Sequence, residues 1–323
     1  MGIIKNKKKT VAVVAGMLVV LLVCVLVRNL KQQFVYTLSD SEVYTEFEDE
    51  CNAVPKHMDW IPDENSIEYG VINDQGISEC DTEISLKSGE KYHRYVSLKQ
   101  QVEEEGEYSL LIFDNFRKIP FYVDGREMEH CTVKLKYGEE ILVPVTIDEL
   151  ADGYHNLIFI WLGEINRPMD KKALEEQFYT PVSNCMCVDV EVETSEWQPE
   201  CGTYAGEYFQ GCSTVVNLQS QYGIDNKTEY IVEMKSGQER LFATVGNTSE
   251  DEMSKKILWV INDFEQVPID DKNYCMYVEV PKDKFISQAI PIEKEAGRPC
   301  SYQVFIMDLE SREIDCSERV VVK

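Results

Sequence analysis

Ten cysteines follow the N-terminal apolar run, at positions 51, 80, 131, 185, 187, 201, 212, 275, 300 and 316. An even number in an extracellular chain points to disulfides, with the pairing left open by spacing alone. Free thiols are the second reading and a metal site the third. Cys185, Cys187, Cys201 and Cys212 invite a zinc assignment, yet zinc ribbons use paired Cys-x-x-Cys knuckles and this spacing has neither. The histidines are His57, His93, His130 and His155. A nucleophile and its base must meet in space, and no Gly-x-Ser-x-Gly, His-Glu-x-x-His, P-loop, Gly-x-Gly-x-x-Gly or EF-hand pattern places such a pair. His155 follows the Asp152-Gly153 turn at the start of a strand and reads as structural; His93 and Arg94 read as surface residues. Asp270-Asp271 fits a turn better than a calcium ligand pair. Trp161, Trp197 and Trp259, the residue type a carbohydrate module would expose, lie mostly within apolar strands and read as core. The expectation is therefore of no catalytic residue, no cofactor and no metal ligand.

The elements that must position these side chains are strands. Ile84 and Leu86 alternate with Glu83 and Ser85, the period of a half-buried strand. Tyr108 to Phe113 and Leu157 to Leu162 are apolar on both faces, as central strands are. Asp124-Gly125 is a strong hairpin signal after Ile119 to Val123. Ile141, Val143, Val145 and Ile147 alternate, with Pro144 outward, which suggests an edge strand or a bulge. Val188, Val190 and Val192 face inward along a closing strand, which turns Cys185 and Cys187 outward together. Residues 169–178 have the composition of one short helical segment. Many short strands separated by turn residues indicate a β-sandwich.

The strand pattern occurs twice. Lys87-Ser88-Gly89 matches Lys235-Ser236-Gly237 at an offset of 148, and Asp114-Asn115-Phe116 matches Asn262-Asp263-Phe264 at the same offset. Ile119-Pro120 likewise matches Val267-Pro268. Val143-Pro144-Val145 matches Ile290-Pro291-Ile292 at 147, and Phe159-Ile160 matches Phe305-Ile306 at 146. The near-constant offset predicts two copies of one domain. The second copy departs at Asp270-Asp271, which replaces Tyr122-Val123, and at Pro299-Cys300-Ser301, which replaces Gly153-Tyr154-His155.

The runs Tyr108 to Gly125 and Asp152 to Ile158 resemble the Ig-like sandwich ectodomains of uncharacterised membrane-anchored or exported proteins of clostridia-like Gram-positive bacteria. That resemblance covers roughly 80–193 and, faintly, the second copy. It implies a fold and a surface location and brings no catalytic residues.

Lys5, Lys7, Lys8 and Lys9 precede an unbroken apolar run, Val11 to Val27, closed by Arg28. Seventeen helical residues reach roughly 25 Å, close to what a hydrocarbon core requires. The run is longer than a signal-peptide core and lacks an Ala-x-Ala site, so it reads as an uncleaved anchor. The lysines keep the N-terminus cytoplasmic and put the rest outside. Cys24, preceded by Val23, lacks the small residue a lipoprotein acceptor needs and reads as membrane-embedded. Beyond Lys31 the chain carries 58 acidic against 26 basic side chains, a balance of −32 that repels nucleic acid and anionic lipid. Asn226-Lys227-Thr228 and Asn247-Thr248-Ser249 are glycosylation sequons by pattern.

The reading that follows is all-β, with two tandem Ig-like antiparallel sandwiches after a transmembrane helix. A cytoplasmic stub (1–10), an anchor (11–27), a stalk (28–64), domain one (65–193), a linker (194–211) and domain two (212–323) succeed one another. The expected function is a non-catalytic cell-surface protein in the cell membrane, a binding or structural module for a protein or glycan. Two other classes compete: a cell-envelope hydrolase using sandwich loops, and a membrane-coupled extracellular sensor. A cleft gathering histidine or paired carboxylates would favour the hydrolase.

Overall fold

The computed structural model describes residues 67–79, 83–102, 104–148, 150–163, 183–194, 200–211, 214–224, 239–270, 272–292 and 300–322. The anchor Val11–Val27, the stalk, the segment 169–178, Trp197, Asp271, Asn226 and Cys51, Cys80 and Cys212 lie outside them. Among the described residues every regular element is a strand, and no helix is long and apolar enough to cross a membrane. All of these residues belong to one compact unit, 38–323.

The N-terminal half contains β1 (Ile67–Ile72), β2 (Glu83–Leu86), β3 (Tyr92–Gln100), β4 (Glu105–Asp114), β5 (Arg117–Lys118), β6 (Phe121–Val123), β7 (Arg126–Met128), β8 (Cys131–Lys136), β9 (Glu140–Ile147), β10 (Gly153–Gly163) and β11 (Ser183–Val192). They form sheet I, in the order β1-β3-β9-β6-β7, and sheet II, β2-β11-β10-β4-β5, with β8 also on β4. The C-terminal half contains β12 (Gly202–Thr203), β13 (Tyr208–Gln210), β14 (Val216–Gln219), β15 (Arg240–Gly246), β16 (Met253–Asn262), β17 (Glu265–Val267), β18 (Cys275–Pro281), β19 (Lys284–Pro291), β20 (Cys300–Asp308), β21 (Ile314–Cys316) and β22 (Val320–Val322). Sheet III runs β12-β18-β16-β20-β21, with β17 on β16 and β22 on β20, and sheet IV runs β13-β19-β15-β14. Pairing is antiparallel except between β2 and β11 and between β12 and β18.

Alternation decides which side chains meet. In β10 the even face looks toward sheet II's outer neighbour and the odd face toward sheet I. Phe159 lies 6.2 Å from Tyr92, ring to ring, and the Trp161 indole donates to the Ser97 carbonyl at 3.2 Å. In the C-terminal half Leu241, Val245, Leu258, Val260, Ile286, Tyr302 and Ile306 fill the space between sheets III and IV. A third apolar layer joins the halves: Leu111, Phe113, Phe116, Ile158, Ile160 and Cys187 pack against Ile257, Trp259, Ile261, Phe305 and Met307. The sheets therefore stack I, II, III, IV. This is why β4 and β10 are apolar on both faces.

The stacking corrects several expectations. Cys185 and Cys187 do point away from their own half's interior, but sheet III covers that face and Cys187 is buried. Phe159 and Phe305 are not equivalent, because Phe305 faces the shared layer while Phe159 faces sheet I. Leu111 pairs with Ile160 and Trp259 with Phe305, so the match slips by one residue, and one residue turns a strand side chain to the opposite face. β9 is an interior strand between β3 and β6; Pro144 sits just past the residues that β6 pairs, where no donor is needed. Residues 194–211 are more than a connector, since β12 and β13 enter sheets III and IV and Cys201 is disulfide-bonded to Cys275. β13 takes beside β19 the place that β6 has beside β9. At the point where the N-terminal half forms β6, the Asp270 carboxylate instead accepts the Lys272 and Asn273 amides in a turn.

Candidate functional site

The buried histidine chemistry resolves first. The type I′ turn Asn115-Phe116 (φ 46 and 67) ends β4 and leaves Asp114 opposite Leu157, beside His155 on β10. His155 Nδ1 donates to Asp114 at 2.8 Å and Nε2 donates to the Ala151 carbonyl at 2.7 Å. Burial favours the neutral ring, but the Asp114 hydrogen bond and charge, aided by Ala151, outweigh it and raise the pKa above its ordinary 6.5. With both nitrogens donating, the ring has no lone pair to offer a nucleophile. Its role is to tie β4, β10 and the turn before it.

His130, between β7 and β8, behaves oppositely. Its ring stacks on Phe264 of the other half at 4.0 Å and 8°. Burial, then the Lys118 charge, pushes its pKa down to about 4, so it packs as a neutral ring. His93 is half-exposed with Nδ1 2.9 Å from the Thr146 hydroxyl. Arg94, expected on the surface, has a side chain only 15% exposed, since alternation along β3 turns it inward after Tyr92. Its guanidinium emerges at the sheet end to bond Glu79 and lies over the Tyr92 ring.

Polar groups also bolt the halves together. Arg312, at φ 64, donates to both Asp189 oxygens at 2.8 and 2.9 Å and to the Tyr154 hydroxyl, while Asn156 donates to Asp189 at 2.7 Å. Ser183 donates to Gln303 at 2.8 Å, and Arg319 to the Gly163 carbonyl at 2.9 Å. The matched hairpins β4–β5 and β16–β17 meet directly: the Lys118 amide donates to Gln266 at 3.0 Å and Gln266 donates to the Phe116 carbonyl at 2.6 Å.

A different arrangement occupies the outer face of sheet IV, and none of its rings was singled out in the sequence. Phe209, Phe242 and Phe285 come from β13, β15 and β19; Phe209 stacks on Phe285 at 5.2 Å. The segment after β14 folds back across this face. Gly223 donates its amide to the Ser287 hydroxyl at 3.0 Å, and the Thr244 hydroxyl donates to the Ile224 carbonyl at 3.1 Å. Tyr222 is thereby set edge-on to Phe209 (5.3 Å) and Phe242 (5.7 Å). Gly223 has φ 70, and a Cβ there would meet the Phe209 ring at 2.6 Å, so only glycine fits. Tyr204 packs instead against the core between sheets III and IV and meets Tyr208 edge-on at 6.2 Å; burial, then nearby Tyr222, pushes its phenol up to about 12 and keeps it un-ionised. On this face Tyr222 and Ile224 remain 49% and 37% exposed. Ring faces open in this way can pack against flat apolar surfaces. No spacing rule could have gathered it, because its rings come from three strands and a strap.

Among the described residues no group of three or more His, Cys, Asp or Glu side chains is placed to hold a metal ion. Asn247, in one of the sequons, is buried with its amide donating to the Asp251 and Val280 carbonyls, which withholds it from a glycan. No family model matches the chain, and no curated protein does. Among solved structures, red sea bream transglutaminase is similar at a TM-score of 0.23 and 9% identity, with 80% of this chain and 31% of that one covered. The chain thus spans about a third of that protein's length.

Proposed function

We propose that the chain is a non-catalytic cell-surface binding module, a duplicated Ig-like sandwich held outside the membrane by Val11–Val27. Its ligand is a protein or glycan of the envelope, taken on the aromatic outer face of sheet IV. The observation that carries this reading is the strap that presents Tyr222 at 49% exposure over Phe209 and Phe242. Large apolar side chains held open by a dedicated backbone connection are costly unless something covers them. The acidic balance of the chain excludes nucleic acid as that ligand. The competing hydrolase reading is weakened by His155, whose two nitrogens are both committed.

The test is co-sedimentation of the full chain, in detergent, with insoluble Gram-positive cell-wall glycan, and its retention on immobilised envelope proteins. Tyr222→Ala and Phe242→Ala should weaken whichever association is found by roughly tenfold or more, as central aromatic residues do. Undiminished retention by both variants, or release of soluble sugar or peptide from the wall, would defeat the reading.

A further inference from the structure

The layer between sheets II and III carries a cysteine on each side of the same seam. On sheet III one cross-strand row runs Cys275, Trp259, Phe305, Cys316. Trp259 and Phe305 stack at 5.6 Å, and the Cys275 end of the row is bonded to Cys201. On sheet II the row Leu111, Ile160, Cys185 belongs to the same layer, with Cys185 and Cys316 both packed against it. β21 lies along β11: Cys316 Sγ is 4.0 Å from the Ser183 carbonyl oxygen, and Cys187 Sγ is 4.0 Å from that of Arg312. Ser183, Cys185 and Cys187 share a strand face, so Cys316, against Ser183, lies nearer to Cys185 than to Cys187, and both Cys185 and Cys316 are free thiols. Burial, then the neighbouring Cys316, holds the Cys185 thiol well above its ordinary 9.0, as two thiols in one apolar pocket would be.

We propose that Cys185 and Cys316 form a disulfide that joins the two halves covalently. The oxidant is another disulfide, of a small thiol or of a thiol–disulfide oxidoreductase. The Cys316 thiolate attacks one oxidant sulfur and the other leaves as a thiol. The Cys185 thiolate then attacks the Cys316 sulfur of the mixed disulfide and expels the second oxidant thiol. Two electrons pass to the oxidant's S–S bond, and the two protons lost by Cys185 and Cys316 end on its thiols. Burial pushes the Cys316 thiol up to about 12, so its reactive thiolate is scarce while the seam is closed.

The full chain is refolded with oxidised glutathione, alkylated, and digested with trypsin without reduction. Fragment 313–319, which holds Cys316, should be recovered attached to 173–227 and released by reductant. Further cleavage after Glu191 and Glu193 should leave it on the piece holding Cys185 and Cys187, apart from Cys201. Cys185→Ser should free the fragment and Cys187→Ser should not. Recovery of 313–319 as an alkylated monomer from the wild-type chain overturns the proposal, and so does its attachment to any cysteine other than Cys185. The wild-type digestion decides the matter even where a variant fails to fold.

Discussion

Phe116 occupies the second position of a two-residue turn at φ 67, a region that a bulky side chain enters only at a cost of about 1–3 kcal/mol. Its ring is fully buried and lies 5.3 Å from Trp259, so packing between the halves holds the turn in place. Phe116→Ala should lower stability by about 3–5 kcal/mol in urea unfolding, from the cavity it leaves. The two buried histidines give opposite pH responses. His155, with its raised pKa, stabilises fully below its ordinary 6.5, and the contribution fades as pH rises through the raised value. His130, depressed to about 4, contributes fully above its ordinary 6.5 and loses that contribution as pH falls toward and through 4. Loss of the His130 contribution lowers the melting temperature as pH falls from about 6.5 toward 4, against the His155 trend, and His130→Gln should flatten that fall. An unchanged acid limb in the variant would remove His130 from the account.

At the scale of elements, the strap 220–224 and the paired hairpins matter most. Gly223→Ala should disorder the strap, since both its φ and the Phe209 ring exclude a Cβ. The expected readout is increased tyrosine accessibility to quenchers and lost ligand retention, with the melting temperature little changed, because the sheet IV core lies on the opposite face. Gln266 bridges the hairpins with two hydrogen bonds, from the Lys118 amide and to the Phe116 carbonyl, and donates a third to the Tyr274 carbonyl of its own half. Gln266→Ala leaves those backbone groups unpaired and should cost about 1–3 kcal/mol. The hairpins themselves were legible: Asp124-Gly125 signals one turn, and the matched Asp114-Asn115-Phe116 and Asn262-Asp263-Phe264 mark two others. Their contact with each other was not, because a repeat shows that two segments are alike and gives no reason for them to touch.

Over the whole molecule, a shared apolar layer makes the two halves one cooperative body. Calorimetry should show a single unfolding transition. A chain cut down to 212–323 should aggregate, since Ile257, Trp259, Phe305 and Met307 would lose their cover. A soluble, monomeric fragment would show that the layer is dispensable. Arg312→Ala removes charged hydrogen bonds to Asp189 across that layer and should cost about 1.5–3 kcal/mol by denaturant unfolding.

Local patterning in the chain settled the all-β class, most strand positions and the sites of several turns, because period-two alternation and Asp-Gly or Asn-containing turns depend on neighbours within a few residues. It also recorded, in the doubly apolar runs Tyr108 to Phe113 and Leu157 to Leu162, that both faces of those strands are covered. What covers the second face was a tertiary matter, decided by sheet III stacking on sheet II. That stacking converts Cys185 and Cys187 from outward thiols into residues of a seam and Phe305 from an interior residue into a joint. The aromatic face of sheet IV belongs to the same class, since rings from residues 209, 222, 242 and 285 become neighbours only when the strap crosses the sheet. Contacts between residues distant in the chain depend on how whole sheets dock, and no local period encodes that.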